Sequence, residues 1–66
     1  MQLHINGSPR DVPDGLSLAA LIDYLGMKSD RVAVELNRDI VPRSRWAETQ
    51  LQEGDRLEIV HFVGGG

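Results

Sequence analysis

Gly64, Gly65 and Gly66 stand together behind a dense apolar run, Leu57-Glu58-Ile59-Val60-His61-Phe62-Val63. Glycine has no Cβ, so such a segment takes backbone conformations closed to other residues and fits a narrow channel. Three residues at full extension reach roughly 10 Å, about the depth of an enzyme cleft. The reactive group such an arm presents is the Gly66 carboxylate. A frayed terminus has the same composition, so the tail by itself leaves both readings open.

The other groups able to do chemistry do not assemble along the chain. His4 and His61 are the only histidines, and there is no cysteine to join them as a ligand, nucleophile or redox group. A zinc or copper site takes three or four ligands. Two solvent-facing strand histidines are therefore the expectation, even if neighbouring strands bring the rings near each other, and no metal is expected. The carboxylates are spread over turns and polar faces, whereas a catalytic acid pair needs one member desolvated. Sixty-six residues leave little room for such a pocket. Phosphate-cradling glycine loops open onto a helix, and this glycine run follows a strand. No catalytic residue is expected, and the chain does not read as an enzyme.

Composition narrows the partners. Net charge is −3 with both signs interspersed, which argues against nucleic acid or an anionic membrane as partner. Arg43, Arg45 and Arg56 have no aromatic company beyond Trp46, a weak pattern for nucleic acid. No apolar run approaches the length of a membrane span, and Met1-Gln2-Leu3-His4 lacks a signal-peptide pattern. A soluble cytoplasmic domain is the expectation.

The elements that would carry the tail are legible from periodicity. Met1, Leu3 and Ile5 alternate with polar residues as in a half-buried strand. Asn6-Gly7 is the pair that suits a two-residue hairpin turn. A return strand is predicted through Arg10-Asp11-Val12, with Pro9 and Pro13 at its edges, and the missing donors place it on the outside of a sheet. Ser17 is the predicted N-cap of a helix, with Leu16 and Leu21 at the positions of a hydrophobic staple. Leu18, Leu21, Ile22 and Leu25 form one apolar stripe. Gly26 closes the helix in the left-handed position, and Met27 is placed to cover Ile22.

Further strands are predicted at Val32–Leu36 and Ile40-Val41, with a turn at Asn37-Arg38-Asp39 between them. Ser44 is placed to cap a single helical turn through Arg45-Trp46-Ala47-Glu48, and Glu53-Gly54-Asp55 turns into the last strand. The order β-β-α-β-β-β gives one apolar helix stripe and one apolar sheet face, which bury each other. The expected fold is an α+β roll with a mixed sheet, its first and last strands parallel at the centre. Residues 1–63 form the domain and residues 64–66 the tail. Alternation along the last strand sets Leu57 and Ile59 in the core and turns Val60 and Phe62 outward beside the tail. Those two are candidate partner-binding residues, and covering the sheet edge is the competing role for Phe62.

The segment Ile40-Val41-Pro42-Arg43-Ser44-Arg45-Trp46-Ala47 resembles the I-V-P-R-x-x-W-A pattern of the ThiS family, the sulfur carrier proteins of thiamin thiazole biosynthesis. Ile5-Asn6-Gly7, the Glu53-Gly54-Asp55 turn, the apolar last strand and the terminal glycines match as well, so the resemblance covers essentially the whole chain. Gly64 adds a third glycine to the pair that the pattern needs.

The resemblance implies a β-grasp (ubiquitin-like) fold. It implies no bound cofactor and a Gly66 carboxylate that is first an acyl-adenylate, made with ATP by an E1-like adenylyltransferase (ThiF), and then a thiocarboxylate. A persulfide donor supplies the sulfur, and thiazole synthase (ThiG) receives it. A terminal carboxylate, with a pKa of about 3.5, is anionic at neutral pH and a poor electrophile until such a leaving group is attached. The related molybdopterin-type carrier, a ubiquitin-like protein modifier, and an interaction module with an incidental glycine tail are the alternatives.

Overall fold

Asn6 and Gly7 both take positive φ, 51° and 83°, as a two-residue hairpin turn of the primed type demands. In the computed structural model, which describes residues 1–62, they join β1 (Gln2–Ile5) to β2 (Ser8–Asp11). The predicted return strand is thus corrected: it begins at Ser8 and contains Pro9. The register explains how a proline is accommodated. Met1 and Val12 exchange two hydrogen bonds, the Met1 amine donating to the Val12 carbonyl at 2.7 Å and the Val12 N–H to the Met1 carbonyl at 2.9 Å. Antiparallel pairs alternate between bonded and non-bonded, so His4 and Pro9, which stand opposite each other, form a non-bonded pair. No ladder bond is asked of the proline, and β2 is the sheet's edge.

Helix α1 (Leu18–Tyr24) begins and ends as its local chemistry dictates. The Ser17 hydroxyl accepts from the Ala20 N–H at 3.1 Å, filling one of the vacant donors of the first turn. At the far end Gly26 takes φ 74°. Its N–H donates to Asp23 O at 2.9 Å while Met27 N–H donates to Ile22 O at 3.0 Å, the two bonds of a Schellman closure. The helix start is tied to a distant segment as well. Leu18 N–H donates to Thr49 O at 2.8 Å, and Leu51 N–H to Leu16 O at 3.1 Å.

A short 3₁₀ turn at Ser29–Arg31, which periodicity did not anticipate, leads into β3 (Val32–Leu36). Asn37 and Arg38 both take positive φ, so the chain reverses in two residues and β4 is Asp39–Ile40 rather than Ile40-Val41. The segment Arg43–Glu48 is 3₁₀, with Pro42 before it and no side-chain cap. Ser44 therefore does not cap it. The last strand, β5, is Arg56–His61, shorter than the apolar run suggests.

The sheet order is β2-β1-β5-β3-β4. β1 and β5 run parallel at its centre, and the other neighbours are antiparallel. The fold is the expected α+β roll. Leu18, Leu21 and Ile22 bury against Leu3, Val32, Val34, Leu57 and Ile59, while Leu25 and Ile5, expected in the core, are only half-buried at its margin. Val12, Trp46 and Leu51 complete the core. Trp46 is 2% exposed, and its Nε1–H donates to Val41 O at 2.8 Å, so the indole packs without an orphaned donor.

Candidate functional site

β5 is the strand that leads to the glycines, and the sheet holds it from both sides. On the β3 edge it pairs from Leu57 opposite Leu36 to His61 opposite Val32. On the β1 edge only His4–Arg56 and Ile5–Leu57 pair before β1 turns away. Two turn asparagines extend these ladders. Asn37 accepts from the Arg56 N–H at 3.0 Å and donates through Nδ2 to Asp55 Oδ1 at 3.1 Å, bracketing the start of the strand. Asn6 accepts from the Ile59 N–H at 2.7 Å and donates through Nδ2 to the Ile59 carbonyl at 3.1 Å. The sequence marks both asparagines as turn residues. Nothing in it shows that their side chains reach a strand many residues away.

The sheet face turned away from the helix is the candidate contact surface. Val60 (59% exposed) and Phe62 (53% exposed) stand on it, as alternation predicts. Ala33 lies opposite Val60, and exposed Ile40 lies opposite Glu35. Glu35 and Glu58 face each other directly, and with His4, Gly7, Arg38 and Arg56 they line an open cleft of about 220 Å³. The result is an apolar strip near the end of β5 and a charged cleft nearer its start. Arg56 and Arg38 both line that cleft, while Arg45 pairs with Glu48 at 2.7 Å.

The buried side chains among the described residues are all apolar. Asp14 accepts from the Met1 amine at 2.6 Å and holds that amine's pKa above its ordinary value. Asp55 and Glu53 accept from backbone N–H groups, that of Gln52 at 2.8 Å and that of Gln2, the first residue of β1, at 2.9 Å. His4 stands opposite Arg56, five residues before His61, so the two backbone positions lie roughly 16 Å apart along the sheet, too far for the rings to meet. Among the described residues no three His, Cys, Asp or Glu side chains gather as for a metal. No helix there is long and apolar enough to cross a membrane. Val63, the Gly64–Gly66 tail and its carboxylate, and hence the expected boundary at residue 63, lie outside the described residues.

Comparison with known proteins matches the model of the ThiS family over residues 3–66. A protein named thiazole synthase in Paramagnetospirillum magneticum is 47% identical over 66 residues, which are all of this chain and 20% of that one. The chain spans about a fifth of the length of the first curated relatives it matches. The sulfur carrier protein ThiS of Bacillus subtilis is 37% identical over 67 residues, covering 97% of this chain and 98% of that one. Among solved structures, the crystal structure of a thiamine biosynthesis protein (ThiS) from Geobacter metallireducens superposes with a TM-score of 0.86 at 33% identity, covering all of both chains.

Proposed function

The chain belongs to the ThiS family, and from that premise we propose that it is a sulfur carrier of thiamin biosynthesis whose working atoms are those of the Gly66 carboxylate. The match with the Bacillus subtilis sulfur carrier over 97% of this chain and 98% of that one carries this reading. The bare chemistry of the described residues agrees with it. A domain whose buried side chains are all apolar serves as a handle for a reactive end.

A carboxylate oxygen of Gly66 attacks the α-phosphorus of ATP on an E1-like adenylyltransferase. Pyrophosphate leaves, and an acyl-adenylate forms. The terminal sulfur of a persulfide then attacks the Gly66 carbonyl carbon and expels AMP, giving an acyl disulfide. A thiol cleaves the S–S bond and is itself oxidised to a disulfide, which releases the thiocarboxylate. Its sulfur is a soft nucleophile that goes to thiazole synthase. The occurrence of a segment like this chain within a protein named thiazole synthase supports that recipient. The protein is thus a cosubstrate of these enzymes and turns over no substrate itself.

Docking falls to the outer sheet face. Val60 and Phe62 grip the adenylyltransferase while Gly64-Gly65-Gly66 enters its active site, since an aromatic side chain that becomes buried in the interface is a usual anchor of such a contact. The reading is tested with the adenylyltransferase, ATP and the 66-residue chain. Pyrophosphate release that depends on the chain and stops when Gly65 and Gly66 are deleted is the expected result. Equal release by the truncated chain would refute it.

A further inference from the structure

β1 contributes its last backbone bond to β5 when the Asn6 N–H donates to Leu57 O at 2.9 Å. The chain then turns back through Gly7, and no further β1 residue is available to hold Ile59. The Asn6 side chain takes that place. Its amide offers one acceptor and one donor, as a peptide group does, and meets both backbone groups of Ile59. The turn does not require this. Glycine or aspartate also tolerates the left-handed backbone of Asn6, but glycine has no side chain and aspartate cannot donate to a carbonyl.

Beyond Ile59 the two edges differ. Phe62 N–H still donates to Arg31 O on the β3 side at 2.8 Å. By alternation the backbone groups of His61 face the β1 side, where among the described residues no strand lies. Among the described residues Asn6 is therefore the last hold on that edge.

We infer that Asn6 is a positioning residue. By bracketing Ile59 it sets where, and in which direction, β5 leaves the body, and so how the terminal carboxylate is presented to the activating enzyme. The inference rests on the carrier reading above. Asn37 is the built-in control: it has the same φ of 51° and likewise accepts from a backbone N–H of β5, that of Arg56, but at the opposite end of the strand and with its Nδ2 donating to the Asp55 carboxylate.

The test compares Asn6→Gly, which keeps the backbone conformation and deletes the amide, with Asn37→Gly and the unaltered chain. Amide hydrogen exchange and adenylation kinetics are read on each. Exchange at Ile59 should quicken about tenfold in Asn6→Gly alone, the change expected for one hydrogen bond lost. The kcat of adenylation should fall about tenfold or more with KM for the carrier unchanged, as for a misplaced reactant. Asn37→Gly should keep the kcat of the unaltered chain. If Asn6→Gly fails to fold, Asn6→Asp, which retains the acceptor, should show the same selective loss of kcat.

Equal kcat in the unaltered chain and the folded Asn6 variant, or equal losses in the Asn6 and Asn37 variants, would overturn the inference while leaving the carrier reading intact. Failure of the unaltered chain to be adenylated would overturn the carrier reading, and the positioning role with it.

Discussion

Glu35 on β3 and Glu58 on β5 stand directly opposite each other on the outer face of the sheet, and neither forms an ion pair among the described residues. Like charges at a cross-strand pair destabilise a sheet. Glu58→Lys should therefore stabilise the domain by about 0.5–1 kcal/mol in urea unfolding at low salt, with the gain shrinking as salt is added. No gain at low salt would show that Arg38 and Arg56, which line the same cleft, already neutralise the pair, and a gain indifferent to salt would show that its source is not charge.

Trp46 and Val41 form a second contact with a measurable consequence. The buried indole donates to a backbone carbonyl that Trp46→Phe would leave without that donor. The variant should lose about 1–3 kcal/mol in stability, more than the modest change in volume accounts for. A variant as stable as the parent would mean that water replaces the indole at Val41 O.

These two contacts also mark how far the sequence could be read. Helix α1 was legible because everything that defines it is local: an apolar stripe, Ser17 at one end, Gly26 at the other. The hairpin turn, the strand alternation and the outward placing of Val60 and Phe62 were legible for the same reason. Val12, Trp46 and Leu51 entered the core unannounced because they lie in segments with no periodicity of their own. Pro9 was misplaced because acceptance of a proline depends on the phase of the ladder, which pairing sets and composition does not. The amide of Asn6 meets Ile59, 53 residues away, and no local pattern reports such a contact.

Docking and chemistry should separate on the two sides of Val63. Phe62→Ala removes an exposed ring and should leave the unfolding midpoint unchanged while weakening binding to the adenylyltransferase by about 1–2 kcal/mol. Gly65→Val should bind as the parent does and fail to be adenylated, because a branched side chain obstructs a channel shaped for glycine. Titration calorimetry with the adenylyltransferase, beside pyrophosphate release, distinguishes the two. Full adenylation of Gly65→Val would reduce the tail to a spacer, and unchanged binding of Phe62→Ala would leave the ring as cover for the sheet edge.

The central claim concerns one atom, and intact-mass analysis addresses it directly. The chain is incubated with the adenylyltransferase, ATP, a persulfide donor and a thiol, then weighed whole and after fragmentation. A product heavier by the difference between sulfur and oxygen, with the increment confined to the fragment ending in Gly66, is the predicted result. An increment on an internal residue, or no increment with all four components present, would contradict the account.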